Sequence, residues 1–333
     1  MRTLVQGVIP RKMAEGSTKV VYAALVGNML VAASKFVAAA ISGSSAMLTE
    51  AIHSTADCTN QLLLLIGVRR GRLPADATHP FGYGMEIYFW TFVVAVLVLL
   101  AGGAASIVQG AREFRSPHPI DSPAINFVVL ILSALFEGYS FSVGYRGYRS
   151  LVARHAIPGL APNLFRFISW SKDPSLFESL LEDGAALAGI AVAAVGISAS
   201  IFFGYLRADG VASIVIGLIL VANSLAILVA TRGLIAGEAA APTLLYDLEQ
   251  SLKGQQWSKR IRNIDTLHLG PSCVLIAVVL EPDGAALDPK LSFAIAGRLK
   301  AVDERIVEVL FRFYDRKAAP GPEDPPPIAS TTI

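Results

Sequence analysis

The chain has 333 residues, of which 53% are hydrophobic and only 16% charged, with a mean hydropathy of +0.55. A soluble domain of that size cannot hide so much apolar surface, so composition excludes an ordinary water-soluble fold and points to a bilayer-embedded protein. The formal net charge of +2, with no basic cluster, excludes nucleic acid as a partner, and only two cysteines, Cys58 and Cys273, exclude a disulfide framework and a cysteine-rich metal knuckle.

Taken in chain order, a tail over 1–19 carries Arg2, Arg11, Lys12 and Lys19. The apolar run after it, about 22 residues, is longer than the core of a signal peptide and is read as a retained first span. Six stretches, near 20–42, 44–68, 87–110, 123–144, 176–204 and 209–230, reach the roughly 20 residues that cross a hydrocarbon core of about 30 Å. Basic residues mark alternate loops: the tail, then Arg69, Arg70 and Arg72, then Arg146, Arg149, Arg154, Arg166 and Lys172. The intervening loops are poorer, with none near Ser42, Arg112 and Arg115 in the next, and Arg207 in the last. Lysine and arginine near span ends stay inside, so both termini are expected in the cytoplasm of a multi-pass integral membrane protein whose six-helix membrane domain covers 20–232.

After Arg232 the pattern changes. Pro242 to Gly254 reads as a short amphipathic helix, Ile261 to Leu267 and Cys273 to Leu280 as strands, and Asp288-Pro289 as the cap and first turn of a helix running to Val302. Val307 to Tyr314 completes an α-β-β-α-β order, a small α+β domain over 240–316. The Pro-rich end, 317–333, is expected to be disordered.

The second span holds the most informative residues. Glu50, His53, Asp57 and Asn60 fall within about 80° of one another at 100° per residue, so they share one stripe of a helix inside the membrane. Ionisable groups are costly there and mark pathways, and imidazole plus carboxylate one turn apart is half of a divalent-metal site. His53 and Asp57 carry the reading. Glu50 is a candidate ligand, gate or interfacial group, and Asn60 a helix-to-helix hydrogen-bonding residue. A plain packing pair is the rival for His53 and Asp57.

The fifth span opens on Asp173-Pro174 and then brings Glu178, Glu182 and Asp183 into the membrane. Relative to Asp183, Ser179 lies about 40° away, Glu182 about 100° and Glu178 about 140°. Asp183, the deepest, is the first choice for the second half of the site. Glu182 either joins it or meets another helix, and Glu178 is expected to face water. The loop Pro74 to Gly84 combines a possible ligand pair, Asp76 and His79, with strong turn residues and by itself reads as a structured turn rather than a site. Glu137 and Asp209 are candidates for polar contacts without a visible ligand partner, and His118, His155 and His268 look like loop or surface histidines.

These residues resemble the cation diffusion facilitator family of divalent-metal transporters. The matching segments are Gly43-Ser-Ser-Ala-Met-Leu-Thr-Glu-Ala-Ile-His53-Ser-Thr-Ala-Asp57, His79-Pro-Phe-Gly-Tyr-Gly, Asp209-Gly-Val-Ala-Ser-Ile-Val-Ile-Gly and Leu234-Ile-Ala-Gly-Glu238. The resemblance implies six transmembrane helices plus a cytoplasmic ferredoxin-like α+β domain, a homodimer in the lipid bilayer, and zinc carried as substrate in exchange for protons, with no cofactor. It maps the family's metal pair onto His53 and Asp57. On the fifth span the family's His-x-x-x-Asp positions read Ser179 and Asp183, so the usual histidine is missing. Leu-Leu-Glu182-Asp183 looks like the branch with the mitochondrial zinc transporters and their bacterial relatives, which adds weight to Glu182 and suggests a bacterial inner membrane. The family's loop site would fall on Asp76 and Tyr83 and is expected to be weak or absent. Its carboxy-terminal metal positions fall on Arg262, Val278, Phe313 and Asp315, so that domain should dimerise without a zinc pair.

The expectation is therefore an efflux transporter with His53, Asp57, Asp183 and either Glu182 or Glu50 around the ion. An oxygen-rich site also suits Mn²⁺ or Fe²⁺. A membrane metalloenzyme and a metal-sensing scaffold are the rivals from other classes. No His-Glu-x-x-His motif, nucleophile elbow or phosphate loop supports the enzyme.

Overall fold

A computed structural model describes residues 12–154, 172, 174–281 and 288–314. Six long helical passages are α1 (Lys12–Ser42), α2 (Ser45–Gly71), α3 with α4 (Glu86–Leu97 and Ala105–Arg115), α5 (Pro123–Arg154), α6 (Pro174–Phe203) and α7 (Arg207–Ala236). Five of these passages are long and apolar enough to cross a membrane; α2, which carries the polar stripe, is not among them. The helices outrun the apolar stretches because helical hydrogen bonding continues past the hydrocarbon edge. The helix α1 begins at Lys12, inside the segment expected to be tail. The remainder of that tail, Arg166, Asp173, His155, Asp315 and the 317–333 end lie outside the described residues.

The chain separates into two compact units, one from 1–65, 94–142 and 181–225, the other from 66–93, 143–180 and 226–333. In the first, Ala38, Met47, Leu130, Ile190, Ala193 and Ile216 belong to one buried cluster. The start of α2 is held from α7: the Asp209 carboxylate accepts from Ser44 Oγ at 2.7 Å, from the Ser45 backbone nitrogen at 2.5 Å and from that of Ala46 at 3.3 Å. A helix begins with four backbone donors that lack intrahelical partners, and an anion there meets both the donors and the positive end of the dipole. Asp209, a residue with no visible partner in sequence, is thus a cap supplied by another helix.

The third passage contains a π-helical stretch, Val98–Ala104, between α3 and α4. Small residues bring it and α4 against α7. A β-carbon at Gly110 would lie 2.7 Å from the Gly210 carbonyl oxygen and the Ile214 nitrogen, and one at Gly217 would lie 2.9 Å from the Gly103 carbonyl oxygen. Backbone approach of this kind is how membrane helices gain packing without a hydrophobic driving force. Because the obstructing atoms are main chain and cannot rotate away, Gly110→Ala should cost about 1–3 kcal/mol, the range of overpacked cores, read as a lowered unfolding midpoint in detergent.

In the second unit, α8 (Pro242–Leu252) and α9 (Pro289–Val302) join a three-stranded sheet of β1 (Ile261–Gly270), β2 (Cys273–Leu280) and β3 (Ile306–Phe313), ordered β1-β2-β3. The strands β1 and β2 form an antiparallel hairpin, whereas β3 lies parallel to β2, which requires the crossover that α9 supplies. Asp288 caps α9 by accepting from the Lys290 nitrogen at 2.9 Å, ahead of Pro289. Alternation in β2 places Val274, Ile276, Val278 and Leu280 in one buried cluster with Leu244, Leu248 and Leu252 of α8 and Ile295 and Leu299 of α9. The helix-strand order expected from the sequence is present, with β1 running three residues past Leu267.

Candidate metal site

On α2 the stripe is buried as its spacing requires. Glu50 is 0%, His53 1%, Asn60 4% and Asp57 6% exposed. His53 Nδ1 lies 3.3 Å from Asp57 Oδ1, one turn on, yet the angle does not make a hydrogen bond. Neither imidazole nitrogen, nor Asp57 Oδ1, nor Asn60 Oδ1 has a hydrogen-bond partner among the described residues. Native interiors pair nearly all such atoms, and exceptions call for a functional explanation.

From α6, Glu182 reaches this stripe. Asn60 Nδ2 donates to Glu182 Oε1 at 2.7 Å and to Oε2 at 2.8 Å. Asp183, one residue further, is turned elsewhere, with its Oδ2 accepting from Ser140 Oγ of α5 at 2.8 Å. The two acids therefore divide as their 100° separation demands, Glu182 to α2 and Asp183 to α5. Among the described residues no three His, Cys, Asp or Glu side chains surround a common point as a finished metal shell. Glu178, expected to face water, is buried at 1% exposure, and Ser179 is half-buried.

Sequence reasoning missed Lys35. This α1 residue is fully buried, and its ammonium donates to Glu50 Oε2 at 2.9 Å and to Ser54 Oγ at 2.8 Å. A lone lysine between Ala33-Ser34 and Phe36-Val37 was the available signal, since intramembrane cations carry the same functional presumption as acids. Ser140, which donates to Asp183, and the buried Glu137, both on α5, are further polar groups near the acids.

The loop between α2 and α3 is a structured turn. Asp76 Oδ1 accepts from the Thr78 and His79 nitrogens at 2.8 and 2.7 Å and from Thr78 Oγ1 at 2.7 Å, while Oδ2 accepts from the Tyr83 hydroxyl at 2.7 Å. His79 lies over Tyr83 with ring centroids 3.9 Å apart. Hydrogen bonds from Tyr83, then Thr78 and His79, hold the Asp76 pKa well below the usual carboxylate range. The folded pKa is depressed, so this ordering is present above the ordinary carboxylate pKa and is lost as acid titrates Asp76. Asp76→Ala should speed amide exchange over 76–83 while leaving metal transport intact; lost transport would instead make the loop a site.

In the carboxy-terminal domain, Arg262 donates to Glu281 at 2.8 Å and stacks 3.7 Å over Tyr314, Val278 is in the core, and Phe313 is exposed. His268 is not a surface histidine: it is 1% exposed, its backbone nitrogen donates to the Glu238 carbonyl at 3.3 Å, and burial pushes its pKa down. Glu238 also pairs with Lys172, whose carbonyl accepts from the Tyr88 hydroxyl at 3.1 Å.

Residues 21–235 match the family described as "Cation efflux transmembrane domain". The chain is 33% identical over 201 residues to "Metal tolerance protein C4" of Arabidopsis thaliana, covering 60% of this chain and 43% of that protein. It is 27% identical over 270 residues to "Proton-coupled zinc antiporter SLC30A9, mitochondrial" of Homo sapiens, covering 81% of this chain and 47% of that protein. It is 30% identical over 118 residues to "Magnetosome protein MamM" of Magnetospirillum gryphiswaldense, covering 34% of each. The chain thus spans less than half the length of these relatives. With the match running through more than half of its residues, from α1 to the end of α7, the chain belongs to the cation efflux, or cation diffusion facilitator, family of membrane transporters.

Proposed function

We propose that the chain exports Zn²⁺ in exchange for protons, with the ion held as substrate by His53, Asp57 and Glu182 and with Asp183 completing the set once it leaves Ser140. The observation that carries this reading is the buried, unpartnered imidazole of His53 beside Asp57 Oδ1, with Glu182 brought to the same stripe from another helix. Two related proteins support it by their names, one a proton-coupled zinc antiporter and one a metal tolerance protein.

The chemistry follows from the donor set. Zinc takes four nitrogen or oxygen ligands and binds them deprotonated, so loading releases protons and protonation expels the ion. Asp57 and Glu182 come from α2 and α6, and zinc bound to both would link the two helices. Rocking of one helix against the other would then open the site to either side in turn. Under the same proposal both termini are cytoplasmic, the membrane is a bacterial inner membrane, 240–316 forms the dimer contact, and two copies assemble. The oxygen-rich acids favour Mn²⁺ as the competing cargo.

The test is metal uptake into liposomes containing the full chain, with Zn²⁺ and Mn²⁺ offered separately and the internal pH recorded. Zinc uptake accompanied by proton movement in the opposite direction is the expected result. Zinc flux without proton movement would reject the exchange, and flux of Mn²⁺ alone would reject the cargo.

A further inference from the structure

The Lys35–Glu50 pair stands one turn from His53 on the same stripe of α2, and nothing in the metal-binding chemistry above uses it. Both side chains are fully buried. The ammonium takes Glu50 Oε2 at 2.9 Å and Ser54 Oγ at 2.8 Å. Glu50 Oε1 has no hydrogen-bond partner among the described residues, and it occupies the space that a side chain at Gly189 of α6 would fill. Gly189 is seven residues beyond Glu182, and two helical turns return to nearly the same azimuth. Glu50 is therefore an acid directed toward the face of α6 that also presents Glu182, restrained by a lysine from a third helix.

We propose that Lys35 is a specificity-determining residue that withholds Glu50 from the transported ion. The inference rests on the reading of His53, Asp57 and Glu182 as ligands. An imidazole with the carboxylates of Asp57, Glu182 and Asp183 already over-neutralises a divalent ion by one charge, and excess charge is costly where the dielectric is low. A further free carboxylate would deepen that negative charge and add hard oxygen donors. That change favours Mn²⁺, which prefers oxygen ligands, over Zn²⁺, which is content with four mixed donors. Lys35 cancels the extra charge and ties down the extra oxygens in one contact.

The experiment measures initial uptake of Zn²⁺ and of Mn²⁺, each alone at equal free concentration, into liposomes carrying the full chain, Lys35→Met, Glu50→Gln or the double variant. Lys35→Met should lower the Zn²⁺ to Mn²⁺ ratio by at least about tenfold, the scale of one altered charge contact. Glu50→Gln leaves an unpaired ammonium beside the site and should weaken apparent affinity for both metals by a similar factor. The double variant should return both ratio and affinity to within about threefold of the parent chain. If Lys35→Met does not fold, the single Glu50 and double variants decide. Transport lost in Glu50→Gln and not recovered in the double variant would make Glu50 a ligand and overturn the proposal. An unchanged ratio in Lys35→Met would also overturn it, while leaving the ligand reading intact. The ligand reading itself fails separately, by normal zinc transport in His53→Ala.

Discussion

Zinc transport by the His53→Ala variant is expected to fall at least about 100-fold, the cost of losing a direct ligand where even supporting residues matter 10- to 100-fold, while stability changes by no more than about 1 kcal/mol. A structural histidine behaves otherwise: replacing a buried, hydrogen-bonded imidazole strands its partners. Here both ring nitrogens already lack partners among the described residues, so no hydrogen bond is broken. Alanine is also the best helix former for an interior turn of α2. The small cavity left behind and the removed desolvation cost act in opposite directions. Zinc flux into liposomes and the unfolding midpoint in detergent measure the two quantities on the same preparation. A variant that loses stability and flux in proportion would make His53 a packing residue.

Lys35→Met should cost about 3–5 kcal/mol, the usual penalty for stranding one member of a buried ion pair. The cost arises because Glu50, at 0% exposure, would keep a charge with no cation beside it. Adding Glu50→Gln should recover most of the loss, since a neutral pair of similar volume no longer requires a counter-charge. The coupling is read from the four unfolding midpoints of the cycle, and additive losses would show that the pair does not act as a unit. This thermodynamic test is independent of metal selectivity.

Much of the architecture is legible in the sequence because its causes are local. A run of about 20 apolar residues has to be a helix in lipid, where each backbone polar group needs an internal partner. The capping of α9 by Asp288 and the alternation of β2 are equally local. The stripe from Glu50 to Asn60 follows from helical geometry alone.

What was not legible depends on which way a helix faces. Spacing separates Glu182 from Asp183 but contains no reference direction, so it does not say that Glu182 meets Asn60 while Asp183 meets Ser140. Lys35 is one basic residue in an apolar run, and nothing local in the sequence places Glu50 beside it. Asp209 has no partner nearby in sequence because its partners are Ser44 Oγ and the first backbone nitrogens of a helix 164 residues away. His268 is buried for a similar reason: the chain near Glu238 returns to cover β1, and a turn-adjacent histidine carries no local sign of it. The π-helical stretch in the third passage shifts the facing of later residues without any proline to announce it.

Zinc K-edge X-ray absorption on the purified full chain, loaded with one equivalent of Zn²⁺ and compared with His53→Ala, tests the ligand assignment most directly. The expected spectrum has one imidazole nitrogen and carboxylate oxygens at about 2.0–2.2 Å, and the imidazole scattering disappears with His53. An unchanged spectrum in His53→Ala, or one dominated by sulfur, would place the ion elsewhere and contradict the account.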